Sequence, residues 1–405
     1  MFNIKTNKDY TIYAQVLEEG AIKQFQEAMD VPSVVKGALM ADAHKGFTLP
    51  IGGVVATKDY IFPSYVGVDI GCGMCATKLD IEAKDIDLEK LFNDIYINVP
   101  VGHAQHATKQ DVPEATSDLV KKGLEKKGFY QLGTLGGGNH FIEIGEGRDG
   151  KLWIVIHSGS RNLGHQIAKF YMKKAAELSI DTSVLEKEFT DRNEPFKENA
   201  PEKFEIAKAA FVSKKVLKAM KGKNLEGHHS FHVDSDIGKA YISDMNYCLE
   251  YALSNRKAMI DNVVSLMGNP ERLDFINRNH NHADLKDGLW IHRKGATHAG
   301  KGIMGVIPGN MRDGCFIVKG KGCKDSLESS SHGAGRVLSR KKASATLDVD
   351  EFKDTMTKAS IIAKVDINTL DESPDVYKNI FDVIDAQKDL IEVIDHIRPL
   401  VNIKG

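Results

Sequence analysis

Six short runs rich in β-branched and aromatic residues punctuate this chain, each closed by glycine or polar residues. They are PIGGVVAT at 50–57, MCATKLDI at 74–81, HFIEI at 140–144, KLWIVIHS at 151–158, GLWIHRKG at 288–295 and GCFIVKG at 314–320. Runs of that length and character read as strands. Apolar residues recurring every three to four positions predict helices over 86–96, 161–179, 201–221, 235–267 and 376–398. The long helices bunch in the middle and at the end instead of alternating with the strands. Simple βαβ repetition is thereby absent, and the expectation is an α+β fold: β-sheets with a site in their connecting loops, and a helical segment over about 161–267 packed beside them. No Pro/Gly/Ser-rich linker or break in composition divides the 405 residues, so the chain reads as one large domain over 1–405.

With 42% hydrophobic and 27% charged residues the chain has ample material for a core. The opening MFNIKTNKDY lacks the basic and then apolar order of a signal peptide, and no apolar run approaches the ~18 residues that span a bilayer. Five scattered cysteines form no disulfide framework and fit a reducing compartment. A cytoplasmic location away from membranes is the expectation. Fifty-four basic against 56 acidic residues leave a net charge of −2, so the whole-molecule field does not favour a polyanion. Contact with nucleic acid then rests on local clusters: KKGLEKK at 121–127, RKGATHAGK at 293–301, VKGKGCK at 318–324 and SRKK at 339–342. Each such cluster is more often solvated surface than binding site.

Chemistry concentrates in the glycine-rich loops. VGVDIGCGM at 66–74 places Asp69 and Cys72, its only ionisable side chains, among Gly67, Gly71 and Gly73. A carboxylate and a thiol three residues apart, beside a backbone free to turn tightly, make half of a metal site or, more blandly, a buried turn with an inert cysteine. Histidines tip the balance. Of the fifteen, His44, His140, His157, His280 and His332 all stand in loops at strand ends. A mixed carboxylate, thiolate and imidazole shell suits Mn²⁺, Zn²⁺ or Fe²⁺ better than Mg²⁺ or Ca²⁺. GHHSFH, with His228, His229 and His232, lies away from these loops and reads as surface.

Two further stretches point to phosphate. LGTLGGGNHFIE at 132–143 and SSSHGAGRVLSR at 329–340 offer unobstructed backbone N–H groups. The second is expected to enter a helix at Ala334 or Gly335, which would put His332 where an anion sits and Arg336 one turn on. Neither stretch matches the Walker or dinucleotide fingerprints. In a regular strand over NHFIE, Asn139 and Glu143 would share one face and His140 the other, so convergence on one site requires an irregular entry at Asn139.

The ordered set GVDIGCGM, LGTLGGGNHFIEI, HSGSRNLG, NHN, RKGAT, IPGNM, SSSHGAGR and terminal VNIKG resembles the RtcB family of RNA-splicing ligases, from about residue 34 to the end. The resemblance implies an enzyme that joins an RNA 3′-phosphate or 2′,3′-cyclic phosphate to a 5′-hydroxyl. It implies GTP as cosubstrate, two Mn²⁺ ions, a guanylylated histidine and a guanylate-capped RNA end. Its substrates would be tRNA halves or broken RNA, and an activating protein of the archease type is an implied partner. Carried over by position, Asp69, Cys72 and His140 would hold one manganese and Cys72, His157 and His280 the other, with Cys72 bridging. His332 matches the attacking histidine. Guanylate contacts fall on Asn139, His140, Phe141, Ile142 and Glu143, on His280 and Asn281, and on Pro308, Gly309, Asn310 and Met311. They fall also on His332, Gly333, Ala334 and Gly335, on Tyr377 as a stacking aromatic, and on Lys404. Arg161, Lys294 and Arg336 match basic residues lining the active site, where Asp42 and His44 also match polar ones. Two departures stand out: Asn310 replaces the serine of PGSM, and Cys315 stands where a nucleotide-contacting serine is usual. Asparagine still donates a hydrogen bond, whereas a thiol does so weakly.

Two other classes compete. A binuclear phosphodiesterase would share the ligands but needs no histidine nucleophile in a phosphate loop. A non-catalytic nucleic-acid-binding protein needs a continuous basic face, which a net charge of −2 disfavours.

Overall fold

Period-two alternation along seven strands builds the centre of the molecule. In the computed structural model, which describes residues 2–115, 117–220 and 227–405, antiparallel neighbours run in the order Met304–Pro308, Cys315–Gly320, Ile391–Lys404, Phe141–Glu146, Lys151–Ser158, Gly73–Glu82 and Arg272–Asn279. The first and last of these strands meet, so the sheet nearly closes into a barrel. Met74, Ala76, Phe141, Trp153, Val155, Ile276, Val306, Ile317 and Ile397 fill its interior. The alternate residues Cys75, Leu79, Ile142, Ile144, Leu152, Ile154 and Ile156 face outward, against Leu91 and Ile95 of one helix and Met259, Ile260 and Val263 of another. Both faces of this sheet are therefore buried, which explains runs such as KLWIVIHS that are apolar at nearly every position.

A second sheet of five strands, ordered Asp9–Ile12, Val34–Phe47, Leu49–Thr57, Leu289–Lys294 and Asn281–Lys286, stands beside the first. The chain crosses from one sheet to the other at His280, between Arg272–Asn279 and Asn281–Lys286. A two-stranded ladder pairs Ala296–His298 with Ser329–Ser331 and delivers His332 to the same junction. The architecture is thus one large domain of mixed helices and sheets, as expected.

Helices fall at 161–178, 201–220 and 236–266, close to the sequence reading, with residue 221 of the expected 201–221 helix outside the described residues. Asp236–Leu266 buries the stripe Tyr241, Met245, Cys248, Ala252, Met259 and Val263, and Ser235 caps it by accepting from the Gly238 N–H. No helix among the described residues is long and apolar enough to cross a membrane.

The expected helix over 376–398 is corrected. Only Ile380–Asp385 is helical, and Ile391–Lys404 is a 14-residue strand. Its isoleucines and valines satisfy both periods, but β-branched side chains prefer a pleated sheet, and Pro399 is foreign to a helix interior. A bulge at Leu400 sets the parity: Pro399 pairs with Gly145 and Val401 with Ile144, so one extra residue enters. Past it Val401 and Ile403 face outward, while Asn402 and Lys404 face the cavity described below.

Because Ile154 faces only the helix-packed outer layer, Ile154→Ala removes core volume without touching the barrel interior. Stability should fall by about 2–5 kcal/mol in a denaturant titration.

Candidate active site

At the junction of the two sheets lies a cavity of about 390 Å³. Its wall contains Asp69, Cys72, His157 and His280 at one end, with His332 beside His280, and Glu143, Glu372, Tyr377 and Lys404 at the other.

The first end is a row of donor atoms. His140 Nε2 lies 3.3 Å from Asp69 Oδ2 and 3.4 Å from Cys72 Sγ. His157 Nε2 is 3.2 Å from the same sulfur and 3.4 Å from His280 Nε2. Among the described residues Cys72, His140 and His157 hold their donor atoms within 4.8 Å of one another. The His140 and His157 rings are oriented from behind, His140 Nδ1 by Leu135 O at 2.9 Å and His157 Nδ1 by Asn139 O at 3.0 Å. A carbonyl can only accept, so each Nδ1 carries the proton and each Nε2 lone pair points inward. Burial above all, with neighbouring imidazoles and with Lys404 near His157 and Arg256 near His280 acting the same way, holds both rings well below the usual imidazole range. Burial and the nearby Asp69 charge push the Cys72 thiol up. At Asp69 burial acts upward, but His140, the hydrogen bond to Cys72 and the Arg161 charge together outweigh it, and the carboxyl stays below its usual range. Neutral imidazoles with inward lone pairs, a carboxylate and a thiol about 3.3 Å apart fit a cation with ligands at ~2.0–2.3 Å.

His332 is held differently. Its Nδ1 lies 2.7 Å from Asp42 Oδ2, and the same oxygen accepts from the His332 and Gly333 N–H groups at 3.1 and 3.2 Å. Asp42 is fully buried; burial acts upward on its carboxyl, and His332 more than offsets this. The Nε2 of His332 is thereby left as the free face of the ring, whose centroid is 4.7 Å from that of His280. Here the expected helix N-terminus is corrected. Residues 332–339 are irregular, the helix starts only at Arg340, and two backbone N–H groups assigned to an anion serve Asp42 instead. Gly335, at φ +76°, lets the turn pass over the backbone of Asp42, where any Cβ would collide.

The opposite end is charged. Lys404 Nζ lies 2.7 Å from Glu372 Oε2 and 5.3 Å above the Phe141 ring. Tyr377 donates to the same oxygen at 2.7 Å and carries the Arg336 guanidinium 5.3 Å over its ring. Burial raises Glu143 to about 7, opposed by Cys315, Asn402 and Lys404. The strand containing Glu143 starts at Phe141, so Asn139 and His140 lie in the preceding turn: this is the irregular entry expected, and it brings His140 to Asp69 and Cys72 while Asn139, Phe141 and Glu143 line the cavity.

Of the other residues singled out from sequence, Asn281, Pro308, Gly309, Asn310, Met311, Cys315, Gly333, Ala334, Gly335 and His44 line the cavity. Ile142 faces the outer helical layer. Asn310 spends its side chain on a turn, donating to Asp313 and accepting from the Arg312 and Asp313 N–H groups. Arg161 lies behind the donor row, bonded to Thr134 Oγ1, with φ +59° and Gly136 leaving room for its guanidinium. Lys294 is buried and bonds the carbonyls of Phe47 and Ser64. His228 departs from the surface reading, being half-buried and 2.7 Å from the hydroxyl of buried Tyr65.

Sequence reasoning missed Glu372, Arg340 and Asn402 on the wall, and Asn255 and Arg256 behind it. Arg256 is fully buried, and its guanidinium bonds Gly71 O, Ser158 O, Asn277 Oδ1 and Asn279 Oδ1 at 2.7–2.9 Å. Asn255 bonds the N–H groups of Gly133 and Thr134 and reaches the Ser158 hydroxyl and Gly159 O. Together they tie down the segments that carry Cys72, His140, His157 and His280. The available signal was an Asn-Arg pair inside an otherwise apolar helical stripe.

Comparison with known proteins is consistent along the whole chain. Residues 24–127 and 104–405 match the family described as tRNA-splicing ligase RtcB. RNA-splicing ligase RtcB of Escherichia coli (strain K12) is 32% identical over 427 aligned residues, covering 96% of this chain and 95% of that protein. The tRNA-splicing ligases RtcB of Nanoarchaeum equitans and Methanococcus maripaludis are 28% and 26% identical, covering 99% and 96% of this chain and 96% and 92% of their own lengths.

Replacing Arg256 by Met preserves length but strands two buried carbonyls. Arg256→Met should cost at least about 3 kcal/mol in a denaturant titration. Lys at this position has no fork and should recover less than half of the loss.

Proposed function

This chain belongs to the RtcB family, and we propose that it is an RNA ligase that seals 3′-phosphate or 2′,3′-cyclic phosphate ends to 5′-hydroxyl ends with GTP, in tRNA splicing or RNA repair. The observation that carries the reading is His332, oriented through Nδ1 by a buried carboxylate, beside a row of metal-type donors and in one cavity with Lys404.

In this reading Asp69, Cys72, His140, His157 and His280 would hold two Mn²⁺ ions, the first three residues toward one and Cys72, His157 and His280 toward the other. The ions supply positive charge that neutralises phosphate oxygens and favours in-line displacement. The protein's own groups do the rest. Asp42 keeps the His332 proton on Nδ1, so the Nε2 lone pair attacks the α-phosphorus of GTP; an N–P bond forms and pyrophosphate leaves. An oxygen of the RNA 3′-phosphate then takes the guanylate, breaking the N–P bond and freeing the imidazole. Finally the 5′-hydroxyl attacks the capped 3′-phosphate, a 3′,5′ linkage forms, and GMP departs. A cyclic end must first be opened by water.

The base and ribose of GTP would lie toward Glu143, Tyr377 and Lys404, among Asn139–Glu143, Pro308–Met311 and Gly333–Gly335. Arg161, Lys294 and Arg336 supply positive potential for the RNA phosphates. Glu143 and the cation of Lys404 offer an acceptor and a donor, the complement of a purine edge that carries both. The proposed setting is the reducing cytoplasm, in keeping with five unpaired thiols, and an activating protein of the archease type is a candidate partner.

Incubation with GTP labelled at the α-phosphate, in Mn²⁺, tests the reading. Wild-type protein should become covalently labelled; a phosphodiesterase or a simple RNA binder would not. His332→Ala should take no label and fail on 3′-phosphate RNA, yet still seal RNA already capped with guanylate, whereas Cys72→Ala should do neither. Normal labelling of the His332 variant would move the nucleophile elsewhere.

A second expectation concerns the far end of the cavity. Lys404→Ala should raise the apparent Michaelis constant for GTP by about tenfold or more while bound metal, measured by elemental analysis, is unchanged. Unaltered GTP use after removal of the last two residues would exclude a C-terminal contact.

A further inference from the structure

We propose that Glu372 is the positioning residue of the nucleotide end of the cavity, the single group that sets Lys404, Tyr377 and the His332 loop at fixed distances from one another. The proposal rests on the nucleotide reading above.

Glu372 is 2% exposed, and its two oxygens divide the labour. Oε2 accepts from Lys404 Nζ and from the Tyr377 hydroxyl, both at 2.7 Å. Oε1 accepts from Arg336 Nη1 at 3.1 Å and Arg340 Nη1 at 2.7 Å. The four donors come from three separate segments: the end of the C-terminal strand, the turn that contains Glu372 itself, and the irregular loop and short helix that follow His332. Beyond this carboxylate the Lys404 ammonium makes a longer contact, 3.5 Å, to Asn139 O and stands over the Phe141 ring. One carboxylate thus converts it into a fixed point, and through Arg336 links that point to a loop whose other end is His332.

A simpler account, in which the network only stabilises the fold, is separable. Asp371 is also bonded to Arg340, but it does not bond Lys404 or Tyr377. In Glu372→Gln the side chain keeps its size, but one oxygen becomes an NH₂ that faces donors. A buried carboxylate also cancels part of the charge of three converging cations, so its neutralisation, if charge alone mattered, would draw GTP in more tightly. Positioning predicts the reverse.

The experiment compares wild type, Glu372→Gln and Asp371→Asn in guanylylation by labelled GTP, with thermal unfolding and metal content recorded for each. Glu372→Gln should raise the Michaelis constant for GTP about 10- to 100-fold, with a fall of less than about threefold in the rate at saturation and full metal content. Asp371→Asn should leave the constant within about twofold. An unchanged or lowered constant in Glu372→Gln overturns the proposal, as does an equal rise in Asp371→Asn. Should Glu372→Gln fail to fold, Tyr377→Phe removes one arm alone: a rise of severalfold at an unaltered melting temperature supports the proposal, and no rise overturns it. Absence of label on wild-type protein would instead sink the ligase reading and this one with it, whereas a labelled wild type with an indifferent Glu372 variant sinks this one alone.

Discussion

The Arg256 guanidinium is the interaction on which the rest depends. The donor row is assembled from four segments far apart in sequence, at residues 69–72, 139–140, 157 and 280, none of which has a helix or a disulfide to fix it against the others. What holds three of them in common is one planar cation, inserted from the long helix, whose N–H groups bond the carbonyls beside Cys72 and His157 and the asparagine next to His280. Such a charge is costly to bury. It is tolerated because nearly every donor is used and because the Asp69 carboxylate lies near enough to offset part of it.

Neighbouring asparagine extends the same logic. Asn255 secures the turn before the glycine-rich loop, which in turn fixes Leu135 O, the carbonyl that orients His140. Ring orientation at the site is thus set two bonds away, by backbone carbonyls whose own positions are fixed by a helix. A helix of 31 residues can serve as such a frame because it is anchored at both ends in apolar clusters, one around Tyr241 and Tyr251 and the other against the barrel.

Much of this was legible in the sequence, and the reasons are physical. Strand runs bounded by glycine were readable because both faces of the central sheet are buried, which makes the apolar signal continuous. Asp69, Cys72 and the loop histidines were readable because their residue types are rare together and glycine marks the turns around them. Ile391–Lys404 was not readable, since isoleucines spaced three and four apart satisfy a helix until pairing with two neighbouring strands decides the matter. Nor was the parity of Lys404, which depends on a bulge that only register reveals. The loop after His332 misled for a related reason: glycine can start a helix or prevent one, and here the choice was made by Asp42, some 290 residues earlier, which takes the N–H groups that a helix start would have left free.

That distant carboxylate shows how the two ends of the cavity come to be handled by opposite means. At the donor row the imidazoles are kept neutral by burial, and the positive charges of Arg256 and Arg161 stand behind the wall, so the lone pairs present an electron-rich surface. At the far end Arg336, Arg340 and Lys404 converge with Glu372, Asp371 and Glu143 against them. His332 stands beside His280, its Nδ1 against Asp42 and its Nε2 left free. The two ends thus hold charge differently: at one, neutral rings present lone pairs with guanidinium cations behind them, and at the other, side-chain cations and carboxylates pair within the wall itself.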